Sequence, residues 1–231
     1  MHPSIRLAVF DVAGTTVLDG DAVFECLAGA LEPRMPVERN AVMAVMGIPK
    51  PVAIRTLLAE SGRLDGASLN AAVNEVHDAF RAAMIDRYRH GPITPAEHAE
   101  AVFAVLRRAQ IKVALDTGFS RDILDVVLTR LGWSRGVVDI SVASDEVNRG
   151  RPHPDLIFRA MALAGVPFAS DVIKIGDTPS DVQEGLTAGC GRVFGVTYGT
   201  HQRDELTAPG VEIIDSLAEL PAAIGLEPIN A

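Results

Sequence analysis

Short, continuous apolar runs rich in β-branched residues alternate with helical periodicity through the first ten residues and the last two-thirds of the chain. Ile5–Phe10, Ile111–Leu115, Val137–Ala143, Val172–Ile175, Val193–Val196 and Val211–Ile214 read as strands. They lack the in/out alternation of a one-sided sheet, as expected for strands covered on both faces. Between them Pro95–Ala109, Arg121–Leu131, Pro154–Ala164 and Asp181–Ala188 read as helices, the last with Ser180 and Asp181 at its start and Gly189 as its stop. This alternation predicts an α/β fold built on a doubly wound parallel sheet.

The rhythm breaks between Leu18 and Gly91. Helical patterns at Ala22–Leu31, Val37–Met46, Pro51–Glu60 and Ser68–Tyr88 follow one another with no strand pattern, punctuated by Gly47-Ile48-Pro49 and closed by Gly91-Pro92. A helical insert at this position predicts a cap (residues 18–91) over a core formed by residues 1–17 and 92–231. It would lie above the carboxyl edge of the sheet, where open α/β folds bind ligands.

Composition narrows the function. Among 231 residues, 48% are hydrophobic and 22% charged, which excludes a disordered chain. With 21 Lys and Arg against 30 Asp and Glu, the net charge of −9 argues against nucleic acid or an anionic membrane as partner. No apolar run approaches the ~20 residues of a membrane span, and the N-terminus reaches Asp11 too soon for a secretory leader, so the expectation is a cytoplasmic protein. Cys26 and Cys190 make neither a disulfide framework nor a zinc site. Only Lys50, Lys112 and Lys174 are lysines; the other basic residues are arginines.

Four chemistry-bearing segments follow four predicted strands. Asp11-Val12-Ala13-Gly14-Thr15-Thr16 puts a carboxylate at a strand tip before a turn of backbone N–H donors. Thr117-Gly118 opens a helix start suited to an anion. Gly150-Arg151-Pro152 supplies a guanidinium, and Asp177 and Asp181 lie four apart on a strand-to-helix turn, suited to a hard divalent cation. Singly, each is also explained by a turn or a helix cap. Together, parallel strands would gather all four at one edge of the sheet.

In this order and spacing the segments resemble those of the haloacid dehalogenase superfamily of aspartate-nucleophile hydrolases, with the helical insert where that superfamily carries its first type of cap. Two departures from the commonest pattern narrow the resemblance: Ala13 stands where most members have a second aspartate, and Arg151 where most have a lysine. Both are features of the phosphonatase branch. Met46-Gly47-Ile48-Pro49-Lys50 also resembles that branch's segment bearing a Schiff-base lysine.

The resemblance implies Asp11 as nucleophile and Lys50 as Schiff-base amine. It implies Mg²⁺ on Asp11, Asp177 and the carbonyl of Ala13, with Asp181 in support. Arg151, Thr117, Gly118, Gly14, Thr15 and Met46 would surround the phosphoryl group and substrate. It also implies a small phosphonate or phosphate substrate and a homodimer. The chemistry is consistent, because Ala13 cannot protonate an ester leaving group, whereas an iminium on Lys50 would accept the electrons of a breaking C–P bond. A phosphomonoesterase and a non-catalytic binding protein are the alternatives. Two further differences from that branch stand out: Ala53 replaces a histidine, and Leu18-Asp19-Gly20-Asp21 replaces a shorter stretch, leaving Asp21 or a water as the substitute proton carrier.

Overall fold

The computed structural model describes residues 5–62 and 64–229. In chain order the elements are β1 (Leu7–Asp11), β2 (Val17–Leu18), α1 (Ala22–Leu31), α2 (Arg39–Met43), α3 (Lys50–Glu60), α4 (Gly66–His90), β3 (Thr94–Pro95), α5 (Ala99–Arg108) and β4 (Lys112–Asp116). They continue through α6 (Arg121–Arg130), β5 (Ile140–Val142), α7 (Asp155–Ala164), β6 (Val172–Gly176), α8 (Pro179–Ala188), β7 (Arg192–Val196), α9 (Arg203–Leu206), β8 (Val211–Ile214) and α10 (Leu220–Ala223).

Six strands form one parallel sheet in the order β5-β4-β1-β6-β7-β8. The chain therefore winds outward from β1 in both directions, and β1 lies at the switch point where a crevice opens at the strand ends. Its side chains alternate between the faces. Leu7 and Val9 join Leu156, Ile157 and Ala160 of α7, whereas Ala8 and Phe10 join Phe103 of α5, Leu124 of α6 and Leu220 of α10. Phe103 stands edge-on to both Phe10 and Trp133, with ring centroids 5.2 and 5.4 Å apart. Burial on both faces explains why these strands read as continuous apolar runs. The doubly wound parallel sheet agrees with the sequence reading.

Helices α1 to α4 lie between β2 and β3, and their buried side chains (Leu27, Leu31, Ile54, Leu57, Phe80, Met84) continue the core on the Phe10 side of the sheet. Their long member, α4, is tied to α6 through Arg81 on Asp122 and through the Arg130 guanidinium, which donates to the Tyr88 carbonyl at 3.0 Å.

Several expected boundaries shift, each for a local reason. Thr94-Pro95 is not the start of a helix: it pairs antiparallel with Val17-Leu18, and α5 begins only after His98, whose φ is 65°. This small ribbon ties the two chain crossings between helical block and sheet, and its two-residue strands carry too little pattern to be read in advance. The strand expected over Val137–Ala143 shrinks to Ile140–Val142, since the Asp139 carboxylate accepts the Val113 N–H (2.9 Å) just before it. Helix α8 opens at Pro179 rather than Asp181. Thr178 is its N-cap and Asp181 its third residue, each side chain meeting the other's backbone N–H at 3.3 Å.

Candidate active site

Register builds the site. Asp11 pairs with Asp116, and Phe10 with Ile175, so three strand ends finish at one level. Asp11 keeps 5% of its surface and faces a cavity of about 320 Å³. Ala13, Gly14, Met46, Lys50, Thr117, Gly118 and Arg151 line the same cavity, together with Asp19, Asp21 and Phe119. Sequence segments separated by up to 140 residues thus converge as the strand order requires.

The turn after β1 is shaped around Asp177. The Val12 carbonyl accepts from the N–H groups of Thr16 and Val17 at 2.9 and 2.8 Å, and Gly14 takes a φ of 90°. A Cβ on Gly14 would lie 2.2 Å from Asp177 Oδ2, so only glycine lets the turn approach this closely. The Thr15 hydroxyl donates to Asp177 Oδ1 at 2.9 Å, and the side chain is fully buried. Its side chain thus orients a carboxylate beneath the cavity. From the opposite side the Thr200 N–H donates to Asp177 Oδ2 at 2.6 Å. The loop carrying Thr200 was not anticipated; its only sequence signal is Gly199, where a Cβ would meet Asp177 Cβ at 2.4 Å.

Asp11, Asp177 and Asp181 bring carboxylate oxygens within 4.8 Å of one another, a donor set for a hard divalent cation. The fit is electrostatic as well as geometric. Burial, with like charge from Asp181 and Asp177, pushes Asp11 up to about 8 against the pull of Arg151, and Asp177 is likewise raised by burial and by Asp181. A cation among them would reverse that and keep Asp11 ionised.

Arg151 is buried to 2% and its guanidinium is held on every edge. Nη1 donates to Asp11 Oδ1 at 2.6 Å and lies 2.8 Å from Asp181 Oδ1. Nε donates to Glu184 at 3.0 Å, and Nη2 donates to the carbonyl and carboxylate of Asp116. Behind it Lys174, with no exposed surface, pairs with Asp116 and lies 3.1 Å from both Asp181 and Glu184. Four buried carboxylates therefore share two cations, and Arg151 and Lys174 are both held above their ordinary values by these partners despite desolvation. Asp116, Lys174 and Glu184 were missed in sequence. Signals existed: a single lysine inside the apolar run Val172-Ile173-Lys174-Ile175, and a glutamate one helical turn after Asp181.

Lys50 is the first residue of α3 and 4% exposed, with Nζ 5.9 Å from the Phe119 ring centroid. Burial, aided by Arg151 and opposed by Asp11, lowers it to about 8. Ala53, one turn on, is fully buried in the helical block. Of the acidic residues before α1, Asp21 is exposed and pairs with Arg39 at 2.8 Å. Asp19 instead accepts from the Tyr88 hydroxyl at 2.6 Å, and burial raises it. The Thr117 hydroxyl accepts from the Phe119 N–H at 3.2 Å.

Among the described residues no helix is long and apolar enough to cross a membrane. Comparison with known proteins agrees with the architecture. A phosphonoacetaldehyde hydrolase of Bacillus cereus is 31% identical over 232 aligned positions, covering 92% of this chain and 83% of that protein. A phosphonoacetaldehyde hydrolase-like protein from Oleispira antarctica superposes with a TM-score of 0.83 at 21% identity, over 96% of this chain and 92% of the other. CbbY from Rhodobacter sphaeroides, solved with phosphate, gives 0.77 at 19% identity over 94% and 96% of the two chains. Residues 5–189, which carry β1, the helical block and all four strand-end segments, match the haloacid dehalogenase-like hydrolase family, and this chain is a hydrolase of that family.

Proposed function

We propose that this hydrolase cleaves the C–P bond of a small 2-oxoalkylphosphonate, with the helical block acting as a cap that delivers Lys50. The observation that carries the reading is a buried lysine brought to about 8 in the same cavity as Asp11, with an alanine at position 13. A lysine at its ordinary value would be almost wholly protonated at neutral pH, whereas this one supplies a useful fraction of free amine.

The Lys50 amine adds to the substrate carbonyl and water leaves, giving a protonated imine. Asp11 attacks phosphorus, and the C–P electron pair moves into the iminium, forming an enamine on Lys50 and an acyl phosphate on Asp11. No proton has to reach the departing carbon at that moment, so Ala13 costs nothing. The enamine then takes a proton at carbon, water hydrolyses the resulting imine, and a second water releases phosphate from Asp11. Arg151 stands beside Asp11 to offset charge on the transferring group, and Thr117 and Gly118 border the same space. Mg²⁺, held by Asp11 and Asp177 with Asp181 in support and the Ala13 carbonyl at hand, would supply further charge neutralisation.

Incubation with phosphonoacetaldehyde and borohydride tests this directly. The expected result is inactivation with one reduced adduct, located at Lys50 by peptide mass, and none in Lys50→Arg. Turnover of phosphate esters with no adduct at Lys50 would instead make the protein a phosphomonoesterase.

A further inference from the structure

Lys50 acts only if the segment before it is seated to fractions of an ångström, and the seat is visible. Met46 to Pro49 lies across the strand-end loops of the sheet and meets them through glycines. A Cβ on Gly118 would lie 2.9 Å from the Ile48 carbonyl oxygen. A Cβ on Gly150 would lie 2.2 Å from Pro49 Cγ and 3.1 Å from Cδ. Pro49 is the N-cap of α3, and Lys50 is the next residue.

We propose that Gly150 is a positioning residue: it leaves the notch into which the Pro49 ring drops, and that contact sets Lys50 above Asp11. Four features single out this pair. The proline ring is rigid, so it cannot turn aside as a flexible side chain would. Gly150 lies outside the left-handed region, so alanine is compatible with its backbone and the only obstacle is Pro49. Gly118 adjoins Thr117 and meets backbone rather than side chain, which makes it a poorer probe. Finally, Pro49 and Lys50 share one helix start, so lifting the ring by the ångström or so that a methyl demands lifts the amine with it. A reaction that needs Lys50 and Asp11 on one substrate is sensitive to such a displacement, on the order of 10²-fold per ångström.

The consequence for turnover rests on the C–P reading; the contact itself does not. The experiment therefore reads both, in the whole protein, for Gly150→Ala, Pro49→Ala and the double variant. The pH dependence of Lys50 acetylation, followed by peptide mass, gives the titration of that amine whatever the substrate. Phosphate release from phosphonoacetaldehyde gives kcat/KM. In Gly150→Ala the Lys50 titration should move from about 8 toward its ordinary 10.5, and kcat/KM should fall by about 10²-fold. In the double variant, where Pro49→Ala removes the ring carbon that the new methyl strikes, both should return to within about threefold of Pro49→Ala alone.

An unchanged Lys50 titration in Gly150→Ala overturns the proposal. So does a double variant that fails to recover, since the damage then lies in the neighbouring Arg151 and not in the seat. If the titration pattern appears and none of the proteins cleaves phosphonoacetaldehyde, the seat stands and the C–P reading falls.

Discussion

Replacing Lys50 by Met should make the protein more stable at neutral pH while abolishing its chemistry. Burial lowers the ammonium from 10.5 to about 8, so the folded state holds this proton about 3 kcal/mol less well than the unfolded state. That value already contains the attraction to Asp11. The sign follows from proton binding. Below about pH 8 Lys50 is protonated in both states and the whole burden is present; between about 8 and 10.5 the unfolded chain binds more protons, so stability rises with pH. Lys50→Met removes the burden and restores an apolar contact with Phe119. The variant should therefore gain up to about 3 kcal/mol at pH 7, and the gain should shrink as pH approaches 10.5. Urea unfolding of parent and variant at several pH values between 7 and 10 reads the difference. The same titration should appear in turnover of the parent, with kcat/KM climbing about tenfold per pH unit below 8 and levelling above it. A variant no more stable than the parent at pH 7 would refute the argument, because Lys50 would then be carrying no desolvation cost and would have no reason to be a nucleophile.

The sheet was legible in sequence because its chemistry is simple: strands buried on both faces must be apolar throughout, and helices between them must be amphipathic. The site was legible where a residue type is unusual at its position, as with Asp11 at a strand tip, Lys50 in a lysine-poor chain, or two aspartates four apart. What escaped was the support. Asp116 reads as the last residue of a strand and Glu184 as one polar position of a helix, and only the pairing of β1 with β4 and β6 brings them onto Arg151. The Thr15 hydroxyl belongs to the same support, since only the fold brings Asp177 within its reach. The β2–β3 ribbon joins residues almost eighty positions apart through two-residue strands, and no local pattern reports such a contact.

Three further outcomes follow from the site. Asp11→Asn should release no phosphate from any substrate while circular dichroism stays unchanged, since an amide cannot attack phosphorus; activity within about tenfold of the parent would remove the aspartyl-phosphate step. Lys174→Met leaves Asp116 and Glu184 buried with one cation fewer and should cost about 3–5 kcal/mol in urea unfolding, whereas adding Glu184→Gln should recover part of it; equal losses in single and double variants would mean the charges are not coupled. The last concerns metal. Four buried carboxylates share Arg151 and Lys174, and the folded state holds Asp11 near 8 against an ordinary 3.8. Between those values the folded protein binds the extra proton, so in the absence of metal Asp11 makes stability fall as pH rises. A divalent cation on Asp11 and Asp177 displaces that proton, and its affinity should therefore increase with pH up to about 8. At 100 times its Kd, Mg²⁺ would add about 2.7 kcal/mol, read as a rise in Tm that is larger at pH 8 than at pH 6, reversed by chelator, and lost in Asp177→Asn. A Tm that is the same in Mg²⁺ and in chelator at both pH values would show that this carboxylate cluster is neutralised by protons and its two internal cations alone.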